Sequence, residues 1–388
     1  METRSRISNA AVDSHSPLSS VAGLLQDKFK ELLLSKEHLV QNIIGFILII
    51  ITVLIILYFL SVLLLPNRNC EQLNEWYSSP TQLANIPQTQ SNEYLLRDFF
   101  IKSSWNSCLT GQQSHDFMGL CGLQNVIKQG CRFLDFQIFT INGQPVVAFT
   151  TSNGVHSKST YNAISTYDII RTIASQAFAT GIVANANDPL ILHFRFQTKI
   201  QNTLNILAEQ IKRNLNSRIL GRTYSRGYGG QNIGSVPIKN FLGKIIIIAD
   251  SKSSTILEGS EFFEYVNAIT GSPFLQMLDY DSVKNTQNMN LANENKQNMM
   301  IVTPDDINNP NFNLVSSYGA QICAFNFYNK DSQLDYAIQR FKSKRTAFIL
   351  KPASLRFVPS TIVVPPVSPS SHSYGPRVTV TDFYEINF

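Results

Sequence analysis

An uninterrupted apolar segment near the N-terminus most restricts what this chain can fold into. It runs from Ile43 to Leu65 without a charged residue and is followed by Pro66. As an α-helix it would be about 34 Å long, which is enough to cross a bilayer. A helix in a soluble core rarely needs to be apolar on every face, and a cleaved signal peptide has a shorter apolar region closer to its first residue. The segment therefore predicts a single transmembrane helix over residues 43–65.

The charges that flank this helix indicate its orientation. Lys28, Lys30 and Lys36 precede it, whereas Arg68 is the basic residue that closely follows it. Because basic residues are enriched on the cytosolic side of membrane proteins, we expect a cytosolic N-terminus and a C-terminal part across the membrane. Against export, the Asn-rich C-terminal part contains no Asn-x-Ser/Thr acceptor for glycosylation. Which membrane is crossed stays open, and a viral membrane is one alternative.

Composition divides the rest of the chain into four parts. Residues 1–42 are a polar, Ser-rich tail in which leucines at helical spacing predict a juxtamembrane amphipathic helix. Residues 66–93 mix Pro, Asn, Gln and Ser, which predicts an extended stalk. We expect residues 94–358 to form one folded domain and residues 359–388 to form a Pro-rich tail that ends in a short strand.

Charge and cysteine content argue against a nucleic acid partner and against a metal site formed by cysteines. The net charge of +5 is spread over 388 residues without a basic run, so we expect no nucleic acid partner. The five cysteines contain no Cys-x-x-Cys pair and no histidine at zinc-ligand spacing, so they indicate no metal site. Their oxidation state stays open between buried free thiols and a disulfide on the far side of a membrane.

Short β-branched runs alternate with helical patterns through the folded domain. Alternation of this kind is typical of a parallel sheet with crossover helices, and the domain has the size of an α/β barrel. An open, doubly wound sheet is the alternative, but no glycine-rich phosphate loop supports it. The strands are expected at Phe133–Phe139, Val146–Phe149, Leu190–Phe196, Ile245–Ala249, Ile322–Phe327 and Ala347–Leu350.

A series of short motifs follows in the same domain. They are Ser-Ser-Trp-Asn-Ser-Cys-Leu-Thr-Gly at residues 103–111, Gly-Cys-Arg-Phe-Leu-Asp at 130–135, Gly-Gln-Pro-Val-Val at 143–147, Leu-Gly-Lys-Ile-Ile at 242–246, Tyr-Gly-Ala-Gln-Ile-Cys-Ala-Phe-Asn-Phe at 318–327 and Phe-Ile-Leu-Lys-Pro-Ala-Ser-Leu-Arg at 348–356. In this order the motifs resemble the X and Y halves of the eukaryotic-type phosphoinositide-specific phospholipase C family. The resemblance implies a distorted TIM (β/α) barrel with an X half at 94–250, a linker at 251–315 and a Y half at 316–358.

Two positions that carry catalytic histidines in that family hold other residues in this chain. The resemblance places them at Trp105 and at Phe149, and neither side chain can carry a proton. Because one proton-transfer group typically contributes about 10²- to 10⁴-fold to the rate, losing both removes most of the rate enhancement. We therefore expect no catalytic residue of the family type.

The calcium site implied by the resemblance is also altered. The four ligand positions correspond to Asn106, Asp135, Gln137 and Arg195, so two carboxylates are lost and one is replaced by a guanidinium. Calcium prefers several carboxylate or carbonyl oxygens, so we expect the family's calcium to be absent and no other cofactor in its place.

Arginine side chains could supply the charge that the ion would otherwise provide. Arg195 is expected either to form a buried salt bridge with Asp135 or to hold a phosphate of an inositol phosphate or phosphoinositide headgroup. Arg345 matches an arginine of the family's substrate pocket and is expected to be either a second phosphate contact or a solvated arginine among Lys342 and Lys344. His115, His156 and His193 are expected to be surface or core histidines, because no pair has the spacing that the reaction needs.

These observations favour a membrane-anchored, phospholipase C-like pseudoenzyme that acts as a binding or structural module. Its expected partners are membrane lipid, an inositol phosphate or phosphoinositide headgroup, and a protein. One alternative is a divergent, calcium-independent phosphoric diester hydrolase that uses Arg195 in place of the ion. Another is a structural membrane protein of a large virus.

Overall fold

A barrel of parallel strands forms the centre of the molecule. The computed structural model describes residues 23–30, 39–79, 81–150, 158–286, 288, 290–358 and 378–387. The first eleven strands of this part are β1 (Phe99–Ser104), β2 (Phe133–Ile141), β3 (Gln144–Val147), β4 (Ile164–Ser165), β5 (Leu190–Phe196), β6 (Ile245–Ala249), β7 (Ala268–Ile269), β8 (Leu275–Asp279), β9 (Met299–Thr303), β10 (Ile322–Phe325) and β11 (Phe348–Leu350). β1, β2 and β5 to β10 follow one another around the barrel in chain order, and β10 pairs in parallel with β1. The ladder is interrupted between β7 and β8, so the TIM barrel expected from the sequence is confirmed in a nearly closed form.

Helices cover the outside of the barrel. In chain order they are α1 (Leu39–Trp76), α2 (Gln88–Glu93), α3 (Leu120–Lys128), α4 (Thr166–Gln176), α5 (Gln201–Leu215), α6 (Ser254–Glu258), α7 (Tyr280–Lys284), α8 (Leu291–Gln297), α9 (Phe312–Ser317) and α10 (Ser332–Lys344). α4 shows why these segments are helical: Ser165 caps its first turn by accepting a hydrogen bond from Tyr167 N, and Ile169, Ile170 and Ile173 form its buried face. Because such helices cover the strands, β6 is buried along its whole length.

Strand register brings four polar residues of β2 and β5 to one place inside the barrel. Asp135 is paired with His193, and Gln137 is paired with Arg195. Residues two apart along a strand face the same side of a sheet. The four side chains therefore form a polar layer in an otherwise apolar barrel.

Two expected barrel strands and the expected linker differ from the structure. β3, at the expected strand Val146–Phe149, is antiparallel to β2 as the second strand of a hairpin. β11, at the expected strand Ala347–Leu350, is antiparallel to β1. Residues 251–315, expected to be a linker, contain the barrel strands β7, β8 and β9. Their short apolar runs are separated by Asn- and Gln-rich segments, which conceal the strand pattern in the sequence.

The apolar segment near the N-terminus belongs to α1, which continues past the expected span. Within the described residues, α1 is the one helix long and apolar enough to cross a membrane, and its most apolar window is wholly exposed. Pro66 is inside α1 rather than at its end, so residues 66–76 of the expected stalk are helical. Leu73 of this part and the following Tyr77 are buried against the barrel, and the Tyr77 hydroxyl donates to Phe327 O at 2.7 Å. Apolar packing thus replaces the extended conformation that the composition predicts.

The cysteines adopt both of the states that the sequence left open. Cys70 of α1 and Cys121 of α3 form a disulfide with a Cα–Cα distance of 5.8 Å. Cys108, Cys131 and Cys323 are free and buried. The disulfide joins the long helix covalently to the barrel.

Outside the barrel, the described parts of both tails have regular structure. Residues 23–30 are helical, as expected for the juxtamembrane segment, and the ring of Phe29 lies 5.1 Å from that of Phe46 in α1. Near the other end, Val378–Val380 and Glu385–Asn387 form an exposed two-stranded hairpin, where a single short strand was expected.

Candidate functional site

A cavity of about 500 Å³ opens at the carboxyl ends of the barrel strands. This is the end at which the active sites of TIM barrels lie. Trp105, Asn106, Gln137, Phe149 and Arg195 line the cavity, so five of the positions singled out in the sequence come together.

Asp135 is the centre of the polar layer below the cavity. Its carboxylate is fully buried and accepts hydrogen bonds from Arg195 Nε to Oδ1 at 2.9 Å and from Arg195 Nη2 to Oδ2 at 2.5 Å. His193 Nδ1 lies 2.8 Å from Oδ1 of the same carboxylate. The arginine is thus engaged in the bidentate salt bridge that was one of the two outcomes expected for it.

Asn106 closes this network from the loop after β1. Arg195 Nη2 donates to Asn106 Oδ1 at 2.6 Å, and the backbone N–H of Asn106 donates to Asp135 Oδ2 at 3.1 Å. The residue has a φ of 44°, a left-handed conformation in which asparagine is enriched among residues other than glycine. Its Nδ2 is buried and has no hydrogen-bond partner among the described residues.

The charge of Arg195 controls the ionisation of Asp135. Burial alone would raise the pKa of this carboxyl, but the guanidinium charge and the hydrogen bonds from His193 and Arg195 outweigh burial and hold the pKa below its usual value. Asp135 is therefore an anion that is paired within the protein, which leaves it unsuited to accept a proton from a substrate.

Trp105 and Phe149 fill the two positions where the resemblance places histidines. The Arg195 guanidinium carbon lies 3.9 Å from the centroid of the Trp105 ring, and the His193 ring stacks at 6.1 Å from it. Such contacts between a cation and an indole are favourable when desolvated. Near Phe149, the Gln137 amide bonds both the carbonyl oxygen and the N–H of Thr150, at 3.3 and 2.9 Å. Gln137, expected at a ligand position, thus holds the chain beside Phe149.

The other candidate residues do not join the cavity. Arg345 is exposed at the end of α10 with a φ of 53° and does not line this cavity, as expected for the solvated arginine that was one of its two predicted roles. His115 is exposed in the loop after β1, and His156 lies outside the described residues. His193 is a core residue as expected, but it also takes part in the Asp135 network.

Acidic residues of the cavity were missed by the sequence reasoning. Asp250 directly follows β6, Asp279 ends β8, and Asp305 and Asp306 follow β9. Lys252 is the basic residue that lines the cavity together with Arg195. A search for charged residues at the carboxyl end of each predicted strand would have found Asp250 after β6, but it would have found Asp279, Asp305 and Asp306 only if β8 and β9 had been recognised.

The residues at the altered calcium site do not fit a calcium ion. Both oxygens of Asp135 accept hydrogen bonds from Arg195, and the guanidinium also bonds the Asn106 carbonyl that would face the ion. In the part of the chain that the structure describes, no group of three or more His, Cys, Asp or Glu residues is arranged to hold a metal. A permanently charged arginine therefore fills the position implied for the ion.

Comparisons with known proteins agree with this barrel. Residues 93–251 match the family model of the phosphatidylinositol-specific phospholipase C X domain. A relative, 1-phosphatidylinositol 4,5-bisphosphate phosphodiesterase 1 of Candida albicans, is 38% identical over 77 residues, which make up 18% of this chain and 7% of that protein.

Two solved structures extend the similarity beyond the X domain. S. officinalis PLC21 is 17% identical with a TM-score of 0.56, over 70% of this chain and 39% of that one. L. pealei PLC21 is 16% identical with a TM-score of 0.56, over 70% of this chain and 40% of that one. The chain thus spans less than half the length of these relatives, and at such identities the structures establish the fold. Residues 93–251 therefore match the X domain of the phosphatidylinositol-specific phospholipase C family, within a barrel that has the phospholipase C fold.

Proposed function

We propose that the protein is a membrane-anchored, phospholipase C-like pseudoenzyme that binds a lipid headgroup in its barrel. One observation carries the proposal: Arg195 is locked onto Asp135 and Asn106, while Trp105 and Phe149 line the cavity where proton carriers are needed. A cavity of about 500 Å³ falls within the usual size of small-ligand sites. The site therefore keeps room for a ligand, while its residues are unsuited to act as the acid and base of the reaction or to hold its metal.

The charges of the cavity restrict its ligand. Four aspartates line it, against Arg195 and Lys252. Like charges that face each other disfavour binding, so a headgroup with several phosphates is disfavoured. A phosphatidylinositol-type headgroup with one phosphodiester and several hydroxyls suits the cavity better, because hydroxyls can donate to carboxylates.

The anchor in this proposal is the apolar part of α1. Its exposed apolar surface would be costly in water and is suited to lipid. Lysines precede it, and a disulfide joins Cys70 to Cys121 beyond it. Because disulfides persist in oxidising compartments, both features support a cytosolic N-terminus and a barrel on the opposite side.

Turnover by the purified full chain tests this function. We expect vesicles that contain phosphatidylinositol to release no more inositol phosphate with the protein than without it, both with calcium and with a chelator. An active phospholipase C on the same vesicles is the control for the assay. Turnover in chelator that Arg195→Ala abolishes would instead support the calcium-independent hydrolase.

Binding of soluble headgroups tests the ligand. We expect glycerophosphoinositol to raise the melting temperature of the full chain more than inositol trisphosphate does. Asp306→Asn removes one cavity charge and should improve binding of the trisphosphate. Tighter binding of the trisphosphate to the unmodified protein would contradict the assignment.

A further inference from the structure

The end of α1 is fixed to the barrel by a ladder of contacts with the segment around α3. Asn69 Nδ2 donates to Asp116 Oδ1 at 2.7 Å, just before α3 begins. Cys70 is bonded to Cys121 at the start of α3. Further along, Asn125 Nδ2 donates to Asn74 Oδ1 at 2.8 Å. Last, Lys128 Nζ donates to Ser78 O at 3.0 Å.

The order of these contacts gives the direction of α1. Residue numbers rise together on both sides of the ladder, so this part of α1 runs parallel to α3. In a TIM barrel, the helix after a strand begins at the carboxyl ends of the strands and runs to the opposite end. This end of α1 therefore passes from the mouth of the cavity towards the bottom of the barrel, and the part of α1 before Asn69 lies beyond the mouth.

The apolar part of α1 begins close to that mouth. Leu65 precedes Asn69 by one helical turn, or about 6 Å of helix. The Tyr161 backbone N–H donates to Asp116 O at 2.9 Å, and Asp116 is the residue that accepts from Asn69, so this loop of the mouth lies beside the same part of the helix. The Tyr161 ring is 40% exposed and lies 5.2 Å from the ring of Phe117 in the loop after β1. Aromatic residues of this kind are enriched at the membrane interface.

We propose that α1 and its disulfide hold the mouth of the barrel against the bilayer that the same helix crosses. The partner of this surface is the lipid headgroup layer on the barrel's side of the membrane. A lipid of that leaflet can then enter the cavity without the barrel leaving its anchor, and lipids of other membranes are out of reach. This inference rests on the anchoring part of the proposed function.

Fluorescence quenching in vesicles tests the orientation. Gln112→Cys places a thiol at an exposed position of the loop after β1, and Lys344→Cys places one at the exposed end of α10, on the opposite side of the barrel. The free native cysteines are buried, so a polar maleimide dye should label the new thiol. The full-length variants are reconstituted in phosphatidylcholine vesicles with a quencher attached to the lipid headgroup.

We expect the quencher to reduce the fluorescence of the dye at position 112 several-fold more than that of the dye at position 344. Equal quenching, or stronger quenching at position 344, overturns the orientation while leaving the anchor intact. Flotation of the vesicles separates the two claims, because a chain that does not float with them has no anchor, and both proposals then fail. Neither the presence of turnover nor the absence of headgroup binding affects this readout.

Discussion

Arg195 combines three contacts that usually occur at separate sites. It is a bidentate donor to Asp135, a donor to Asn106 and a cation above the Trp105 ring. Its side chain is only 12% exposed, and that of Asp135 is fully buried. A buried ion pair stabilises the folded state little more than an apolar pair of similar size would. Removing one partner is nevertheless costly, because it leaves the other charge buried and uncompensated.

Arg195→Ala should therefore lower the free energy of unfolding by about 3–5 kcal/mol, the usual cost of leaving one partner of a buried pair. Arg213→Ala is the matched control, because Arg213 pairs with Glu209 on the surface, where such a pair contributes less than about 1 kcal/mol. Urea unfolding of the full chain in detergent, followed by near-UV circular dichroism, measures both. A similar small decrease in the free energy of unfolding of both variants would show that the buried carboxylate of Asp135 does not need the charge of Arg195.

Lys351 is a second buried charge, and it makes stability depend on pH. Its Nζ donates to Asn295 O at 3.2 Å, and burial lowers its pKa to about 7, against 10.5 for an ordinary lysine. Between these values the unfolded chain holds a proton that the folded chain has released, so stability rises with pH by up to about 1.4 kcal/mol per unit. The increase begins near pH 7 and is complete above the pKa of the unfolded lysine.

Replacing Lys351 by methionine should reduce this dependence between pH 7 and 8, a window in which the buried cysteines, whose ordinary pKa is 9.0, still carry protons in both states. Burial also lowers the pKa of Lys102, to about 8, so a smaller slope should remain in the variant. Lys344→Met, at an exposed position, should leave the slope unchanged. Urea unfolding at the two pH values gives the slopes. Equal slopes for the unmodified protein and Lys351→Met would mean that the folded protein keeps this lysine charged.

Among the secondary structure elements, four buried barrel strands were predicted, whereas β1 and β9 were missed although both are buried along their whole length. β2, β5, β6 and β10 were expected from sequence because each is a continuous buried run. β7 has two residues and β8 has mixed burial, so neither gives a periodic signal. β3 and β11 look like barrel strands in sequence, because the pattern records burial but not the direction of pairing.

The residues of the candidate site were likewise predictable only in part. The motif positions located Trp105, Asn106, Asp135 and Arg195, all of which meet at the cavity or below it. Of the two roles predicted for Arg345, the structure agrees with the solvated one, because the segment that contains it leads into an antiparallel strand rather than into a barrel strand. The stalk was misjudged because tertiary contacts of Leu73 and Tyr77 outweigh the local composition.

The junction of α1 with the barrel depends on one covalent bond between elements. Cys70 and Cys121 are separated by 51 residues, and closing a loop of this size stabilises a fold by about 2–4 kcal/mol. Reduction by dithiothreitol should therefore lower the melting temperature of the full chain. The double variant Cys70→Ser, Cys121→Ser should melt at the lower temperature with or without reductant. An unmodified protein insensitive to reductant would show that these two cysteines are not joined.

In the whole molecule, the barrel, the proposed membrane span and the Cys70–Cys121 disulfide are all consistent with one orientation across the membrane. A barrel across the membrane from the cytosol would meet an oxidising lumen, and the lysines before the span would stay on the cytosolic side. A barrel in the cytosol would instead leave Cys70 and Cys121 in a reducing compartment. The two orientations therefore differ in which side of the span is exposed to glycosylation.

Engineered acceptor sites can decide the orientation, because the natural C-terminal part has none. Lys344→Asn creates the acceptor Asn-Arg-Thr at the exposed end of α10, on the side of the barrel opposite the mouth. Ala11→Thr creates one at Asn9, before the span. In a eukaryotic expression system we expect a glycosidase-sensitive mass increase for Lys344→Asn and none for Ala11→Thr. The reverse pattern would place the barrel in the cytosol, and the disulfide would then be expected to open, because that compartment keeps thiols reduced.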